Sequence, residues 1–238
     1  MGNVEPYTVY GHFYDATQRK PDPSQYLNLL RKFHPGAETL LELACGTGAH
    51  LAPLVEHYDV TGLDISRTML RYARRKLPGV RFHHQDMAGF DLGVRFDAVI
   101  CPYDSINHMV KFEDWVKTFR AAKRHLNPKG VFIFDINTEY RLRDLAGLPA
   151  WARRFGENYV IMKVSMGEGG IADWDIKVFE REKRGTYRLH HEVIREQSFA
   201  HQKVKLALKE SFEKVRAFDL AGWGRPKATS RRLFYVCG

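Results

Sequence analysis

Apolar positions in the first 137 residues fall into short continuous runs separated by stripes at helical spacing. The short runs predict strands near 39–44, 58–63, 80–84, 96–101 and 130–136. Between them, Tyr26, Leu29, Leu30 and Phe33 share one helical face behind Asp22-Pro23, where Asp caps and Pro takes the first helical position. Met69, Leu70, Ala73 and Leu77 form a second stripe after a Ser66 cap, and Phe112, Trp115, Val116, Phe119 and Leu126 form a third. Asn127-Pro128-Lys129-Gly130 reads as the turn that returns the chain to the fifth strand. Strands alternating with helices imply a mostly parallel sheet covered on both faces.

Beyond Asn137 the period changes. A short helix around 138–146 gives way to alternating segments at 159–167, 171–182 and 187–199, with Gly-Glu-Gly-Gly and Lys-Arg-Gly turns between them, which predicts three antiparallel strands. A helix at 201–211 and strands near 214–220 and 232–237 complete the main sheet at seven strands. The expected α/β fold therefore has a core built from 1–137 and 211–238, with a small antiparallel cap, 138–210, inserted after the fifth strand. Open α/β sheets bind ligands beyond the carboxyl ends of their strands, where such a cap can roof a pocket.

The chemistry concentrates where the first strand ends. Leu41-Glu42-Leu43-Ala44-Cys45-Gly46-Thr47-Gly48 runs from an apolar strand past an acid into a glycine turn expected to open a helix. Glycine tolerates positive φ and lets a ligand lie against the backbone. Dinucleotide folds place G-x-G-x-x-G at the same junction, but Leu51 stands where the third glycine belongs. The turn alone leaves nicotinamide and sulfonium cofactors open. Glu42 weighs against a pyrophosphate, which it would repel, and for an ammonium, whose hydrogen bonds it can accept. S-adenosylmethionine carries an ammonium and no phosphate.

Glu42 through Gly48 resembles the first motif of the class I S-adenosylmethionine-dependent methyltransferases, and three further stretches match in order. Val60-Thr61-Gly62-Leu63-Asp64 resembles the second strand, whose terminal acid grips the ribose hydroxyls. Gln85-Asp86-Met87 resembles the end of the third, where an acid accepts the adenine amino group and the next residue packs on the ring. Phe96 to Cys101 resembles the fourth, which lies under the methionine moiety. The resemblance implies a Rossmann-like fold and places Tyr14, Ala44, Gly46, Gly48, Ile65, Met69, Met87, Cys101 and Tyr103 against the cofactor, with Glu42, Asp64 and Asp86. Among such enzymes, a cap and a tyrosine-rich N-terminal segment, here Tyr7, Tyr10, Phe13 and Tyr14, mark those acting on amino sugars, glycine-like amines and other small molecules.

Methyl transfer from a sulfonium is an in-line displacement, so the protein chiefly aligns the reactants in a dry cavity. A hydroxyl or a protonated amine also needs a proton acceptor. His108, just past the fourth strand, is the candidate base, with Tyr14 and Tyr103 orienting the acceptor. Trp151, Trp174, His191 and Arg195 are candidate pocket-lining residues, core packing being the stronger reading for the tryptophans.

Composition narrows the alternatives. The 238 residues, 44% of them hydrophobic, suffice for one substantial core. No apolar run reaches the roughly 18 residues of a membrane span, and Met-Gly-Asn-Val-Glu-Pro lacks the regions of a signal peptide, so a cytoplasmic enzyme is expected. Three dispersed cysteines support neither a disulfide framework nor a zinc site. Asp104, Asp135 and Asn137 invite comparison with catechol-type metal sites, yet no metal is expected, there being no tight ligand cluster. The net charge of +9 raises a nucleic-acid methyltransferase as an alternative, but the basic residues are dispersed, and Cys101-Pro102-Tyr103-Asp104 departs from the Asn/Asp-Pro-Pro-Tyr motif of enzymes that methylate exocyclic amines. A noncatalytic cofactor-binding protein is a further alternative. The expectation is a monomer or homodimer acting on a small molecule, the charge favouring an anionic one.

Overall fold

The computed structural model describes residues 7–18 and 22–238; the reading of the opening Met-Gly-Asn-Val-Glu-Pro lies outside them. In chain order the described elements are α1 (Tyr14–Thr17), α2 (Ser24–Phe33), β1 (Thr39–Leu43), β2 (Asp59–Asp64), α3 (Arg67–Lys76), β3 (Arg81–His84), β4 (Phe96–Cys101), α4 (Phe112–Arg124), β5 (Leu126–Asn137) and α5 (Glu139–Gly147). They continue as β6 (Trp151–Phe155), β7 (Asn158–Met166), β8 (Ala172–Arg181), β9 (Tyr187–Glu196), α6 (His201–Lys209), β10 (Val215–Asp219) and β11 (Arg232–Cys237).

Seven strands form one sheet in the order β10-β11-β5-β4-β1-β2-β3. β1 pairs parallel with β2 and β4, β2 with β3, and β4 with β5, whereas β11 runs antiparallel to β5 and β10. Strand alternation sends Leu41 and Leu43 to one face and Leu40 to the other. Trp115 and Phe119 of α4 with Val204 and Leu208 of α6 cover the first face. Tyr26, Leu29 and Leu30 of α2 and Leu70 of α3 cover the second. The strand order reverses between β1 and β4, the place where open α/β sheets split and admit a ligand.

A separate four-stranded antiparallel sheet, β6-β7-β8-β9, forms the cap. Its inner face, Val160, Met162, Ile176, Val178 and Ile194, packs on Tyr10, with Tyr7, Phe13 and Tyr14 around it. Burying one such aromatic ring contributes about 1.5–3 kcal/mol. Glu192 of β9 accepts bonds from the backbone amides of Thr8 and Tyr10, at 3.2 and 2.6 Å, so the N-terminal segment is pinned beneath the cap.

Three local expectations change. The segment after the glycine turn, 49–57, is a chain of turns rather than a regular helix, because Ala52 bonds back four residues to Gly48 while Leu54 bonds back three to Leu51. Asn127 to Gly130 is not a separate turn but a bulge inside β5. Lys129 takes φ 69°, and the register against β4 shifts between Phe96 and Ala98. A Cβ on Gly130 would stand 3.0 Å from two backbone carbonyls, so glycine alone fits there. The cap has a fourth strand, β6, whose Trp-Ala-Arg-Arg-Phe sequence carries no apolar alternation because it is an edge strand paired on one side.

Candidate functional site

The cofactor half is built on the ends of β1, β2 and β3. Ala44, Gly46 and Gly48 have φ of 53°, 55° and 72°, a left-handed turn that folds the chain back over the sheet edge. At Gly48 a Cβ would also meet Leu77 and Ala73 at 3.3 and 3.4 Å, whereas at Gly46 it would meet nothing within 4 Å, leaving space against the backbone for a ligand. Gly62 lies beneath the turn, where a Cβ would fall 2.7 Å from the Phe82 ring and 2.8 Å from Cys45 Sγ. Asp15 ties the N-terminal segment to the turn, accepting from Thr47 Oγ1 at 2.5 Å and pairing with Lys76 at 2.7 Å.

Three acids stand at successive strand ends. Glu42 Oε2 lies 2.7 Å from His50 Nδ1. Asp64 accepts from the amides of Gly46 and Ser66, both at 2.7 Å. Asp86 accepts from the Ala88 amide at 2.9 Å and lines a surface pocket of about 430 Å³ with Gln85, Gly89, Asp114 and Lys117. Neighbouring strands are about 4.8 Å apart, so the row spans roughly 10 Å. That row and the open space over Gly46 fit the ammonium, ribose diol and adenine of S-adenosylmethionine in order. Met69 and Met87 are buried beside the row, Met87 Sδ lying 3.9 Å from Cys101 Sγ, while Ile65 is exposed at the rim.

The second half lies past β4. Tyr103 and Asp104 take consecutive left-handed conformations, φ 56° and 52°, and Asp135 of β5 holds both by accepting their amides at 2.8 and 3.1 Å. Tyr26 also donates its hydroxyl to Asp135. Arg232, from the antiparallel strand β11, bonds Asp135 at 2.7 Å and also bonds Asp104. The Asn137 amide then bridges two carboxylates, 2.8 Å from Asp104 and 3.1 Å from Glu196 at the end of β9. Asn107 joins cap to core, donating to the carbonyls of Asn137 and Gln197 at 3.0 and 2.9 Å.

His108 sits in the same turn as Asn107. Its Nδ1 lies 3.2 Å from the Arg195 carbonyl, which can only accept, so Nδ1 carries the hydrogen and Nε2 accepts from the Tyr7 hydroxyl at 3.0 Å. Tyr7 meets Tyr14 and His108 edge-on, each centroid 5.6 Å away. Burial lowers the His108 imidazole below its ordinary range and keeps it neutral. Tyr7 and Tyr14 are raised, first by burial and then by neighbours that include Asp104. Asp104 is pushed up to about 6 by burial, which Arg232 opposes and Asp135 reinforces. Glu196 is raised well above the carboxylate range by burial and by Asp104.

Tyr14 lies near both Asp64 and Asp104, so it stands between the two halves. Tyr103 instead turns its hydroxyl to the backbone of Asp22 and its ring to His50. Asp104, Asp135 and Asn137 do converge, but on the Arg232 guanidinium, and among the described residues no group of three His, Cys, Asp or Glu could hold a metal ion. Arg195 and His191 face outward from the cap, paired with Asp173 and Asp175. Trp151 is exposed, and Trp174 packs under the cap. Sequence reasoning missed Arg232 and Glu196 as site residues and raised Asn137 only as a metal ligand, since their partners lie far away in the chain; His50 lay only eight residues from Glu42 but carried no motif.

Residues 40–130 match a family model described as a methyltransferase domain. The dTDP-3-amino-3,6-dideoxy-alpha-D-glucopyranose N,N-dimethyltransferase of Streptomyces fradiae is 32% identical over 204 residues, covering 82% of this chain and 73% of the relative. Among solved structures, the sugar N-methyltransferase KedS8 from a Streptoalloteichus species superposes with TM-score 0.82 at 28% identity, covering 100% of this chain and 94% of the other. The amino pentose methyltransferase CalS10 from Micromonospora echinaspora, solved with S-adenosylmethionine bound, gives 0.78 at 26% identity, covering 100% and 99%. No helix among the described residues is long and apolar enough to cross a membrane.

Proposed function

Because the chain belongs to the class I S-adenosylmethionine-dependent methyltransferases, we propose that it methylates the amino group of a small molecule, specifically an amino sugar carried on a nucleotide. The observation that carries the amine is the buried acidic cluster beyond β4, where Asn137 bridges Asp104 and Glu196, Arg232 pairs with Asp104, and both acids are near enough to act on Tyr7. Buried acids attract and orient an ammonium; a neutral hydroxyl would gain little from them. The sugar and its nucleotide are supported by the names of the similar proteins and by the +9 net charge, which suits an anionic carrier.

The cofactor supplies a methyl group on a positively charged sulfur. Glu42, Asp64 and Asp86 would hold its ammonium, ribose and adenine, with Met87 against the adenine. The aromatic segment from Tyr7 to Tyr14, pinned by Glu192 beneath the cap, would exclude water and supply aromatic rings near the sulfonium's positive charge. An amine arriving as ammonium must lose a proton before it attacks. Asp104, pushed up to about 6 by burial and bridged through Asn137 to Glu196, takes that proton at a carboxylate oxygen. The Tyr7 hydroxyl, donating to His108 Nε2, offers its own lone pair to a second N–H of the amine and fixes the direction of its free electron pair. His108 thereby acts through Tyr7. Within residues 138–210, α5 and the sheet β6 to β9 serve as the cap over the site while α6 packs on the core sheet, and the unpaired thiols of Cys45, Cys101 and Cys237 suit the cytoplasm.

The test is methyl transfer from radiolabelled S-adenosylmethionine to a panel of nucleotide-linked amino sugars, their hydroxyl counterparts, free small amines and bulk RNA. Label on the amine of an amino sugar is the expected result. Label on the hydroxyl counterparts or on RNA would overturn the acceptor class while leaving the family intact.

A further inference from the structure

Glu42 is only 1% exposed. A carboxylate withdrawn that far from water needs donors, and among the described residues one is found, His50 Nδ1 at 2.7 Å from Oε2. No donor among them reaches Oε1. His50 is itself buried, its ring between Tyr26 and Tyr103 at near right angles, both centroids 5.3 Å away. Its Nε2 has no hydrogen-bond partner.

This combination is informative because burying an imidazole nitrogen without a partner is unfavourable, and an aliphatic side chain would fill the gap between two phenol rings without that cost. What the histidine adds is the Nδ1–H directed at Glu42. The left-handed turn over Ala44, Gly46 and Gly48 brings it there, folding the chain so that a residue eight positions after the acid returns to the side chain.

We propose that His50 is a positioning residue for the cofactor, its Nδ1–H holding Oε2 of Glu42 so that Oε1 is left to the ammonium of the methionine moiety. The proposal rests on the reading of Glu42 as the ammonium's partner. It makes His50 matter for ligands that carry the amino-acid tail and not for ligands that lack it.

The experiment is calorimetric binding of S-adenosylhomocysteine, which has the ammonium, and of 5′-methylthioadenosine, which does not. His50→Leu is expected to weaken S-adenosylhomocysteine at least about tenfold and to leave 5′-methylthioadenosine within about twofold. His50→Asn, whose amide nitrogen takes the place of Nδ1, is expected to stay within about threefold of wild type for both ligands, whereas His50→Gln, whose amide reaches the place of Nε2, should behave like His50→Leu. Should the leucine variant not fold, the Asn and Gln pair carries the comparison. Equal weakening of both ligands, or unchanged binding of S-adenosylhomocysteine, would overturn the proposal in favour of a packing role. Glu42→Gln separates the two layers. If it spares S-adenosylhomocysteine, the Glu42 reading fails and takes the proposal with it; if it weakens that ligand while His50→Leu and His50→Gln do not, only the role of His50 fails.

Discussion

Replacing Arg232 by methionine removes the cation bonded to the buried acids Asp104 and Asp135. Its guanidinium is 24% exposed and bonds Asp135 at 2.7 Å, Asp104, and Asn137 Oδ1 at 3.3 Å. Asp135 would keep the amides of Tyr103 and Asp104 and the Tyr26 hydroxyl, but Asp104 would keep Asn137 alone. Removing one partner of a buried ion pair costs about 3–5 kcal/mol, and partial exposure places this one near the lower end. For a domain of this size 3 kcal/mol corresponds to a fall of about 6–12 °C in Tm. The loss must also depend on pH. Asp104 already titrates at about 6 in the folded protein, and losing Arg232, which lowers it, moves it higher. An unfolded aspartate titrates near 3.9. The folded state therefore binds a proton that the unfolded state does not, so the relief from protonation is present on the acid side and disappears as pH rises through the folded value. Urea unfolding followed by circular dichroism should show the full deficit near pH 8, reduced by roughly 1–2 kcal/mol near pH 5.5. A deficit below about 1 kcal/mol at pH 8, or one that grows toward acid, would refute the view that Arg232 compensates buried carboxylates.

Gly48→Ala combines φ 72° with contacts at 3.3–3.4 Å, and a loss of about 1–2 kcal/mol in stability together with at least about tenfold weaker S-adenosylhomocysteine binding is expected by denaturation and calorimetry. On the proposed role of Asp64 toward the ribose, Asp64→Asn should weaken the same ligand by about 1.5–3 kcal/mol, with melting temperature as the folding control. Tyr7→Phe and His108→Ala should each lower turnover and leave cofactor affinity unchanged in the transfer assay; normal turnover in both would remove the pair from the reaction. Since burial depresses His108, it stays neutral at pH values below its ordinary 6.5. Its contribution to stability is complete above that value and is lost as pH falls through the depressed one, so the acid limb of the turnover profile that it causes should lie below 6.5. Turnover should be insensitive to a chelator such as EDTA, measured after dialysis.

Much of this protein was legible in its sequence because the relevant physics is local. Short continuous apolar runs marked β1 to β4 and period-3.6 stripes marked α2 to α4, since both signals need only nearest-neighbour spacing. The glycine turn was readable for the same reason, Gly46 and Gly48 being demanded by φ within four residues. Edge strand β6 escaped because it needs no alternating face, and the bulge at Lys129 passed for a turn because the local sequence is the same for both. The acceptor pocket is the opposite case. Arg232 reaches Asp104 across 128 positions, Glu196 and Asn137 meet across 59, and Tyr7 meets His108 across 101. No spacing rule links such residues. The sequence by itself determined the cofactor end, where backbone conformation and strand-end acids suffice. Only the tertiary structure decided the acceptor end, because its charge balance exists only once β11, the cap and the N-terminal segment have been brought together over the end of β4.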